Sequence, residues 1–137
     1  MSSPDSDSVA FHGPDAPVRT YVTNEGIITV APDASVRDAA TAIVNASIGL
    51  LVIGTADEVV AVISERDIVR AVAEGLDLDR VPVAEIGSRE IVWVDADDNV
   101  GDAAEEMMKD YVRHALVRDE SGFIGVLSMR DVLTAFI

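Results

Sequence analysis

One internal duplication constrains the fold of this chain more than any other feature. Residues 30–67 align with residues 94–131 at a constant offset of 64 residues and without a gap. The apolar positions between the identical residues mostly remain apolar in both copies. The ten identical pairs are Val30/Val94, Asp33/Asp97, Val36/Val100, Asp38/Asp102, Ala39/Ala103, Ala40/Ala104, Val62/Val126, Ser64/Ser128, Arg66/Arg130 and Asp67/Asp131.

A repeat of this length is a whole supersecondary unit rather than one turn of a solenoid. The chain has 137 residues, which is enough for one compact domain with a real core but too few for two independent domains. The duplication therefore predicts one pseudo-symmetric domain, with a crease between its halves where a ligand can bind.

The charge of the chain excludes some partners. Ten basic residues oppose 25 acidic ones, and Lys109 is the only lysine. A net charge of −15 repels nucleic acid and anionic membranes, so neither is an expected partner. Molar salt would suppress the self-repulsion of such a chain. The composition is therefore typical of a protein from a high-salt cytoplasm, and the alternative is an ordinary acidic protein.

Other classes are excluded by what the sequence lacks. Without cysteine there is no disulfide scaffold, no thiolate nucleophile and no cysteine-based zinc site. No apolar run approaches the length that spans a bilayer, and the first residues lack the basic and apolar regions of a signal peptide. We therefore expect a cytoplasmic protein without a metal site.

Hydrophobic periodicity predicts the same element order, β-α-β-β-α, in each copy. Ser35 and Asn99 are the expected N-caps of the first helices, and each is followed by an apolar stripe at helical spacing. We expect a flexible acidic tail over residues 1–17, a first repeat over 18–78 and a second repeat over 79–137. The predicted fold class is α+β, with two helices covering one face of each three-stranded sheet.

The element order and the repeat endings resemble the CBS domain, the module named after cystathionine β-synthase. These endings are Val62-Ile-Ser-Glu-Arg-Asp67 and Val126-Leu-Ser-Met-Arg-Asp131. The resemblance implies a pseudo-two-fold CBS pair, or Bateman-type module, that binds AMP, ADP, ATP or S-adenosylmethionine in the cleft between its repeats. It also implies a homodimer formed through the helical faces.

Four residues of the terminal motifs are the first candidates for contacts with such a ligand. By resemblance, Asp67 and Asp131 accept hydrogen bonds from the ribose hydroxyls, and Ser64 and Ser128 lie near ribose or phosphate. A carboxylate suits a ribose diol because it accepts two charge-assisted hydrogen bonds. The alternative is a capping box, because Ser-x-x-Asp before an apolar run caps a helix without any ligand.

Basic residues supply the candidates for contacts with phosphate. Arg113 and His114 stand where the first copy has Gly49 and Leu50, so the second copy offers more positive charge. The alternative is that Arg113 is exposed and His114 is packed. Arg66 and Arg130 recur in the first turns of their helices, where a cation opposes the helix dipole. Their repetition indicates either a phosphate partner or an ion pair with the neighbouring aspartate. The free N–H groups of those first turns are a further expected phosphate contact.

The adenine base is expected to lie against the strand starts. Ile28 and Val92, with Thr23 upstream, are the candidates by resemblance. Trp93 is a candidate for stacking on a base or on a partner subunit, and the alternative is that it packs within its own repeat.

Two functions follow from these residues. The sequence shows no nucleophile–base constellation and no Gly-x-x-x-x-Gly-Lys loop, so we do not expect an enzyme. The first hypothesis is a regulatory energy sensor that requires no cofactor, binds an adenosyl nucleotide and signals to a regulated protein of unknown identity. The alternative is a ligand-independent dimerisation or scaffold module.

Overall fold

In a computed structural model, the described residues are 13–22 and 27–136. They form two compact units. Residues 27–91 make up one unit, which we call the first-repeat unit, and residues 13–22 with 92–136 make up the second-repeat unit. Most of the predicted tail, residues 1–12, lies outside the described residues.

The first-repeat unit contains a three-stranded sheet in the order β1-β2-β3. Strand β1 runs parallel to β2, and β2 forms an antiparallel hairpin with β3. Ser35 caps the first helix as predicted, since its side chain accepts a hydrogen bond from the Asp38 amide at 3.0 Å. The elements are β1 (Thr29–Val30), α1 (Val36–Ala46), β2 (Leu50–Gly54), β3 (Val59–Ser64), α2 (Glu65–Ala73) and α3 (Val83–Ile86).

The second-repeat unit repeats this plan with the sheet order β4-β5-β6. Asn99 caps its first helix through the Asp102 amide at 2.8 Å, as predicted. The predicted α+β class and the β-α-β-β-α order are therefore confirmed in both units. The elements are a 3-10 turn (Val18–Tyr21), β4 (Trp93–Asp95), α4 (Val100–Lys109), β5 (His114–Asp119), β6 (Gly122–Ser128) and α5 (Met129–Thr134).

The helices are short. The longest of them, α1, has 11 residues, whereas a bilayer span needs about 20. Across residues 13–22 and 27–136, no helix combines the length and the apolar character that crossing a membrane requires.

Each unit has its own hydrophobic core between its sheet and its helices. In the first-repeat unit, Ala39 and Ile43 of α1 pack against Leu51, Ile53 and Ile63 of the sheet. The equivalent core of the second-repeat unit joins one face of β4, β5 and β6 to α4 and α5. Its buried members include Val94, Val100, Ala103, Met107, Val117, Leu127 and Val132.

A segment that precedes the first repeat completes the second-repeat unit. We call residues 14–21 the N-terminal strap. The Gly101 amide donates to the Pro14 carbonyl and the Val100 amide to the Ala16 carbonyl, each at 2.8 Å. Ala16 and Val18 are buried, Val18 within the core. Residues 14–17, which the sequence assigns to the tail, therefore lie against the start of α4 through these carbonyls, and Ala16 is buried.

The segment before the second repeat completes the first-repeat unit in the same way. We call residues 78–86 the linker strap. The Val36 amide donates to the Val81 carbonyl at 3.0 Å, and the Arg37 amide donates to the Leu78 carbonyl at 2.9 Å. Val83 is fully buried in the core of this unit. The compact units thus extend across the expected boundary at 78/79, because each unit includes a strap from the start of the other expected repeat.

An ion pair accompanies each strap. Arg19 of the N-terminal strap contacts Asp97 at 2.8 Å, and Arg37 of α1 contacts Asp79 of the linker strap. The hydrogen bond from Arg19 to Asp97, together with the aspartate charge, raises the pKa of Arg19, and Asp79 does the same for Arg37. Because these side chains are exposed, we expect the pairs to fix orientation more than to add stability.

Candidate ligand-binding half-sites

In the second-repeat unit, the strand register brings the predicted basic and acidic residues together. His114 begins β5 directly opposite Ser128, the last residue of β6. The Met129 amide donates to the Arg113 carbonyl at 2.7 Å, which ties the start of β5 to the start of α5. Arg113, His114, Ser128 and Asp131 therefore share one corner of the unit, which we call the second half-site. Arg113 is exposed and His114 is half-buried.

The first-repeat unit has an equivalent corner without the basic pair. Leu50 lies opposite Ser64 across the hairpin, and the Glu65 amide donates to the Gly49 carbonyl at 3.1 Å. We call the corner of Gly49, Leu50, Ser64 and Asp67 the first half-site. Its geometry matches the second half-site, but the residues at the strand start carry no charge. The difference between the two corners predicted from sequence is therefore present in space.

Both Ser-x-x-Asp motifs form capping boxes. The Ser64 amide donates to Asp67 Oδ2 at 2.9 Å, and the Asp67 amide donates to Ser64 Oγ at 3.3 Å. The corresponding distances for Ser128 and Asp131 are 3.4 Å and 3.1 Å. The capping alternative is thus confirmed. It uses Oδ2 of each aspartate and takes nothing from Oδ1, so it leaves one carboxylate oxygen for another donor.

The capping boxes contradict one expectation from the sequence, that free N–H groups of the second helix would hold phosphate. In α2 the amides of Ser64, Glu65 and Asp67 all donate within the chain. Three of the four donors that a helix start normally leaves open therefore already have partners. Any phosphate contact here must come mainly from side chains.

The predicted ion pair in the first turn involves a different arginine. Asp67 Oδ1 lies 3.6 Å from the guanidinium of Arg70, one turn further along α2. In the part of the chain that the structure describes, neither Arg66 nor Arg130 forms an ion pair with its neighbouring aspartate, and both are exposed. Of the two alternatives for Arg66 and Arg130, the ion pair with Asp67 or Asp131 is therefore not observed, and a phosphate contact stays a prediction. The i,i+3 spacing of Asp67 and Arg70 is the signal in the sequence that indicates this pair.

The residues at the strand starts, Ile28 and Val92, are held by the sheets through their backbone and by the cores through their side chains. The Val52 amide donates to the Ile28 carbonyl at 3.2 Å, and the Leu116 amide donates to the Val92 carbonyl at 2.9 Å. The side chains of Ile28 and Val92 pack against the cores of their units. Thr23, the third residue predicted near the base, lies outside the described residues.

Trp93 packs within its own unit. Its ring meets Phe123 edge-on with 6.0 Å between the ring centroids, and the Arg118 guanidinium lies 5.4 Å from the ring centroid. Arg118 also contacts Asp95 at 3.4 Å. These contacts are those of the packing alternative, with an additional cation–π contact from Arg118.

A small cavity of about 210 Å³ opens beside Asp67 in the first-repeat unit. Its charged lining is mixed, with three carboxylates and one guanidinium, so it combines acceptors with a single fixed donor group. Among its lining residues only Asp67 is a ligand contact that the sequence predicts. The lining residues are Asp67, Arg70, Ala71, Glu74, Leu76, Glu85 and Ile86.

Known sequences place this chain in a family. The CBS domain profile matches residues 18–74 and 83–137. An uncharacterised 17.7 kDa protein of Acidianus ambivalens is 31% identical over 120 residues, which span 86% of this chain and 72% of that protein. The arabinose 5-phosphate isomerase of Yersinia pestis is 32% identical over 114 residues, which span 82% of this chain but only 35% of the enzyme.

Solved structures of CBS domain proteins also superpose on this chain. A CBS domain protein of Pyrobaculum aerophilum, complexed with AMP, superposes with a TM-score of 0.76 at 35% identity, covering 84% of this chain and 88% of that one. A CBS domain pair solved with 5′-methylthioadenosine and S-adenosylmethionine gives a TM-score of 0.78, covering 89% and 100%. At 22% identity the second likeness shows the fold alone. This chain belongs to the CBS domain family and carries two CBS domains.

Proposed function

We propose that this CBS pair is a regulatory module that binds an adenosyl ligand (AMP, ADP, ATP or S-adenosylmethionine) and passes a change of state to a partner protein in the cytoplasm. The observation that carries the proposal is the repeated corner in which a strand start faces a Ser-x-x-Asp motif. The AMP complex of a relative at 35% identity supports the ligand class. The isomerase match supports a regulatory role, since this chain spans only 35% of that enzyme.

The ribose contact is assigned to the aspartate oxygen that the capping box leaves out. Asp67 and Asp131 are each held in place by their serine, so the remaining oxygen is pre-oriented before a ligand arrives. In this proposal the capping and ribose roles are compatible, because one carboxylate serves both. Asp131 Oδ1 is the better acceptor, since Asp67 Oδ1 lies near Arg70.

The phosphate contact is assigned to the second half-site. Arg113 is exposed beside Ser128, and its guanidinium offers a fork of donors that suits a phosphate. The first half-site has Gly49 and Leu50 at the equivalent strand start. We therefore propose that ligands with a phosphate group prefer the second half-site, while uncharged adenosyl groups discriminate less between the two.

Titration calorimetry in molar KCl tests the ribose assignment with AMP, ATP and S-adenosylmethionine. Asp131→Asn keeps an oxygen that can cap the helix but removes the charge, so the fold should survive, as circular dichroism will check. We expect binding to weaken about tenfold or more, because a hydrogen bond to a charged group contributes about 1.5–3 kcal/mol. Asp67→Asn is the matched variant for the first half-site. If none of these ligands binds the wild-type chain, the proposal is wrong.

Comparing AMP with adenosine provides a control for the phosphate assignment. Arg113→Ala should weaken binding of AMP about tenfold or more while leaving adenosine, which has no phosphate, unchanged. Leu50→Ala alters the equivalent strand start of the first half-site and should not discriminate between AMP and adenosine. An equal loss of both ligands in Arg113→Ala would contradict a phosphate role for this residue.

A second candidate function is self-association as a scaffold, and one observation favours it. Both units expose large apolar side chains on their helices. We propose that the chain forms a homodimer through these helical faces, and a sensor that is also a dimer unites the two candidates. A ligand then signals only if it binds one state of the assembly better than another. If the chain is dimeric but binds no nucleotide, only the scaffold role is supported.

A further inference from the structure

Arg70 contacts the one carboxylate oxygen of Asp67 that the capping box does not use. Its guanidinium lies 3.6 Å from Asp67 Oδ1. The side chain of Asp67 is only 17% exposed, whereas that of Arg70 is 60% exposed. A largely buried acceptor is thus covered by a side chain that reaches it from the surface. The oxygen that a ribose contact would use in the first half-site is therefore already paired within the chain.

The cavity beside Asp67 surrounds Arg70 with carboxylates. Asp67, Glu74 and Glu85 line the same space of about 210 Å³, in which Arg70 is the only basic residue of the described lining. Glu74 follows α2 directly, whereas Glu85 belongs to α3, a separate element. Several charges in a network hold a guanidinium more firmly than one exposed partner does. The cavity therefore favours the position of Arg70 beside Asp67.

The equivalent position of the second half-site carries no charge. At the 64-residue offset Arg70 corresponds to Thr134, just as Asp67 corresponds to Asp131. The Thr134 hydroxyl donates to the Asp131 backbone carbonyl at 2.6 Å, so this hydrogen bond does not involve the carboxylate. The i,i+3 ion pair of the first half-site therefore has no counterpart in the second.

The straps differ in the same sense. Thr20 of the N-terminal strap takes the place that Glu85 has in the linker strap, as the backbone hydrogen bonds show. The Glu85 amide donates to the Pro82 carbonyl and the Thr20 amide to the Pro17 carbonyl, each at 3.0 Å. In the second repeat, threonines thus replace both the guanidinium and one of the carboxylates that line the cavity of the first-repeat unit.

From the ion pair, the cavity and the two threonines together we propose that Arg70 is a specificity-determining residue that closes the first half-site to adenosyl ligands. It competes with the ribose hydroxyls for Asp67 Oδ1. The second half-site then fills first, and the first half-site fills only at a higher concentration of ligand. This inference rests on the proposed binding of adenosyl ligands and adds the residue that sets how many of them the chain holds.

Ionic strength should regulate the closure. The Debye length falls from about 10 Å at 0.1 M salt to about 3 Å at 1 M, which is shorter than the 3.6 Å between Arg70 and Asp67. Adenosine has no charge for salt to screen, whereas the ion pair that competes with it is weakened. Affinity of the first half-site for adenosine should therefore rise with KCl concentration, relative to that of the second.

Exchanging the two residues tests the closure by titration calorimetry with adenosine, which has no phosphate for Arg70 to contact. Asp131→Asn weakens the second half-site, so binding to the first is measured in that background. There Arg70→Thr should tighten binding about two- to fivefold, the factor that corresponds to the loss of one exposed ion pair. In the Asp67→Asn background, Thr134→Arg should weaken binding by the same factor.

The chain offers a matched control for the lost ion pair. Arg80 lies 3.7 Å from Asp77 at the same i,i+3 spacing, in the same unit but outside the half-site. Arg80→Thr should therefore leave the affinity for adenosine unchanged. Arg70→Lys keeps a cation and should stay within about twofold of its parent. Circular dichroism identifies the lowest KCl concentration at which all variants are folded, and titrations run from there to 1 M.

The outcomes separate the closure from the binding on which it rests. If the wild-type chain binds adenosyl ligands but Arg70→Thr does not tighten binding to the first half-site, the closure is wrong and the proposed function is unaffected. A gain that is the same at all KCl concentrations, or that Arg80→Thr reproduces, would also overturn the closure. If the wild-type chain binds no adenosyl ligand under any of these conditions, the proposed function itself is wrong.

Discussion

The buried valine of the N-terminal strap offers a direct measure of what this segment contributes. Val18 is fully buried in the core of the second-repeat unit. Val18→Ala removes two carbon groups worth about 0.8 kcal/mol each in transfer free energy. The residual cavity adds to this, so we expect a loss of about 2–3 kcal/mol in the free energy of unfolding. For a unit of this size the melting temperature should fall by about 10 °C or more.

The chain supplies its own probe for the experiment. Trp93 is the only tryptophan, and it packs on Phe123 inside the second-repeat unit. Tryptophan fluorescence during urea unfolding therefore follows that unit, and hydrogen exchange by mass spectrometry shows where protection is lost. We expect Val18→Ala to reduce protection in residues 92–136 more than in residues 27–74.

Matched variants decide whether the effect is specific. Val83→Ala truncates a buried valine of the linker strap in the same way and should reduce hydrogen-exchange protection in the first-repeat unit instead. Arg19→Ala removes the exposed ion pair with Asp97 and should cost less than about 1 kcal/mol. If Val18→Ala costs less than Arg19→Ala, or reduces protection mainly in residues 27–74, the reasoning about the strap is refuted.

Two further predictions concern charge and backbone geometry. The urea midpoint should rise from dilute buffer to molar KCl, because the Debye length falls to about 3 Å at 1 M and the net charge of −15 is screened; full stability in dilute buffer would contradict this. Gly54→Ala should destabilise the chain by about 3 kcal/mol or more, whereas Gly122→Ala should cost about 1–2 kcal/mol. Both glycines have a left-handed φ, but only at Gly54 would the new Cβ lie 2.3 Å from a carbonyl oxygen, that of Glu58; equal losses in thermal unfolding would refute the steric argument.

The sequence predicted the elements of each unit because the signals for them are local. Ser35 and Asn99 lie at caps with a period of apolar residues behind them, and both helices begin there. The straps gave no such signal. Val18 and Val83 lie in short segments without periodicity, and their role depends on contacts with residues far along the chain. Their position in the fold is a tertiary property, which pattern reasoning does not capture.

At the candidate site, too, local features were predictable from the sequence and contacts between distant residues were not. The alignment of the repeats indicated that Arg113 and His114 differ from their counterparts, and the register places His114 opposite Ser128. The Ser-x-x-Asp pattern left open whether the motif caps a helix or contacts a ligand, and the structure shows the cap. The capping-box alternative accounts for the Ser64 and Asp67 amides, but the bond from the Glu65 amide to the Gly49 carbonyl, just before β2, was not predictable because it joins residues that are distant in the sequence.

The exchange of straps also sets an order of events during synthesis. All parts of the first-repeat unit, including the linker strap, have been synthesised once residue 91 is added. The N-terminal strap is made first, but the last strand of its unit, Gly122–Ser128, follows about 100 residues later, or about 5–20 seconds at usual elongation rates. Val18 stays without its core for that interval. The two repeats are therefore equivalent in sequence, but their cores are completed at different times during synthesis. The second-repeat unit depends on a segment that is made long before the rest of that unit.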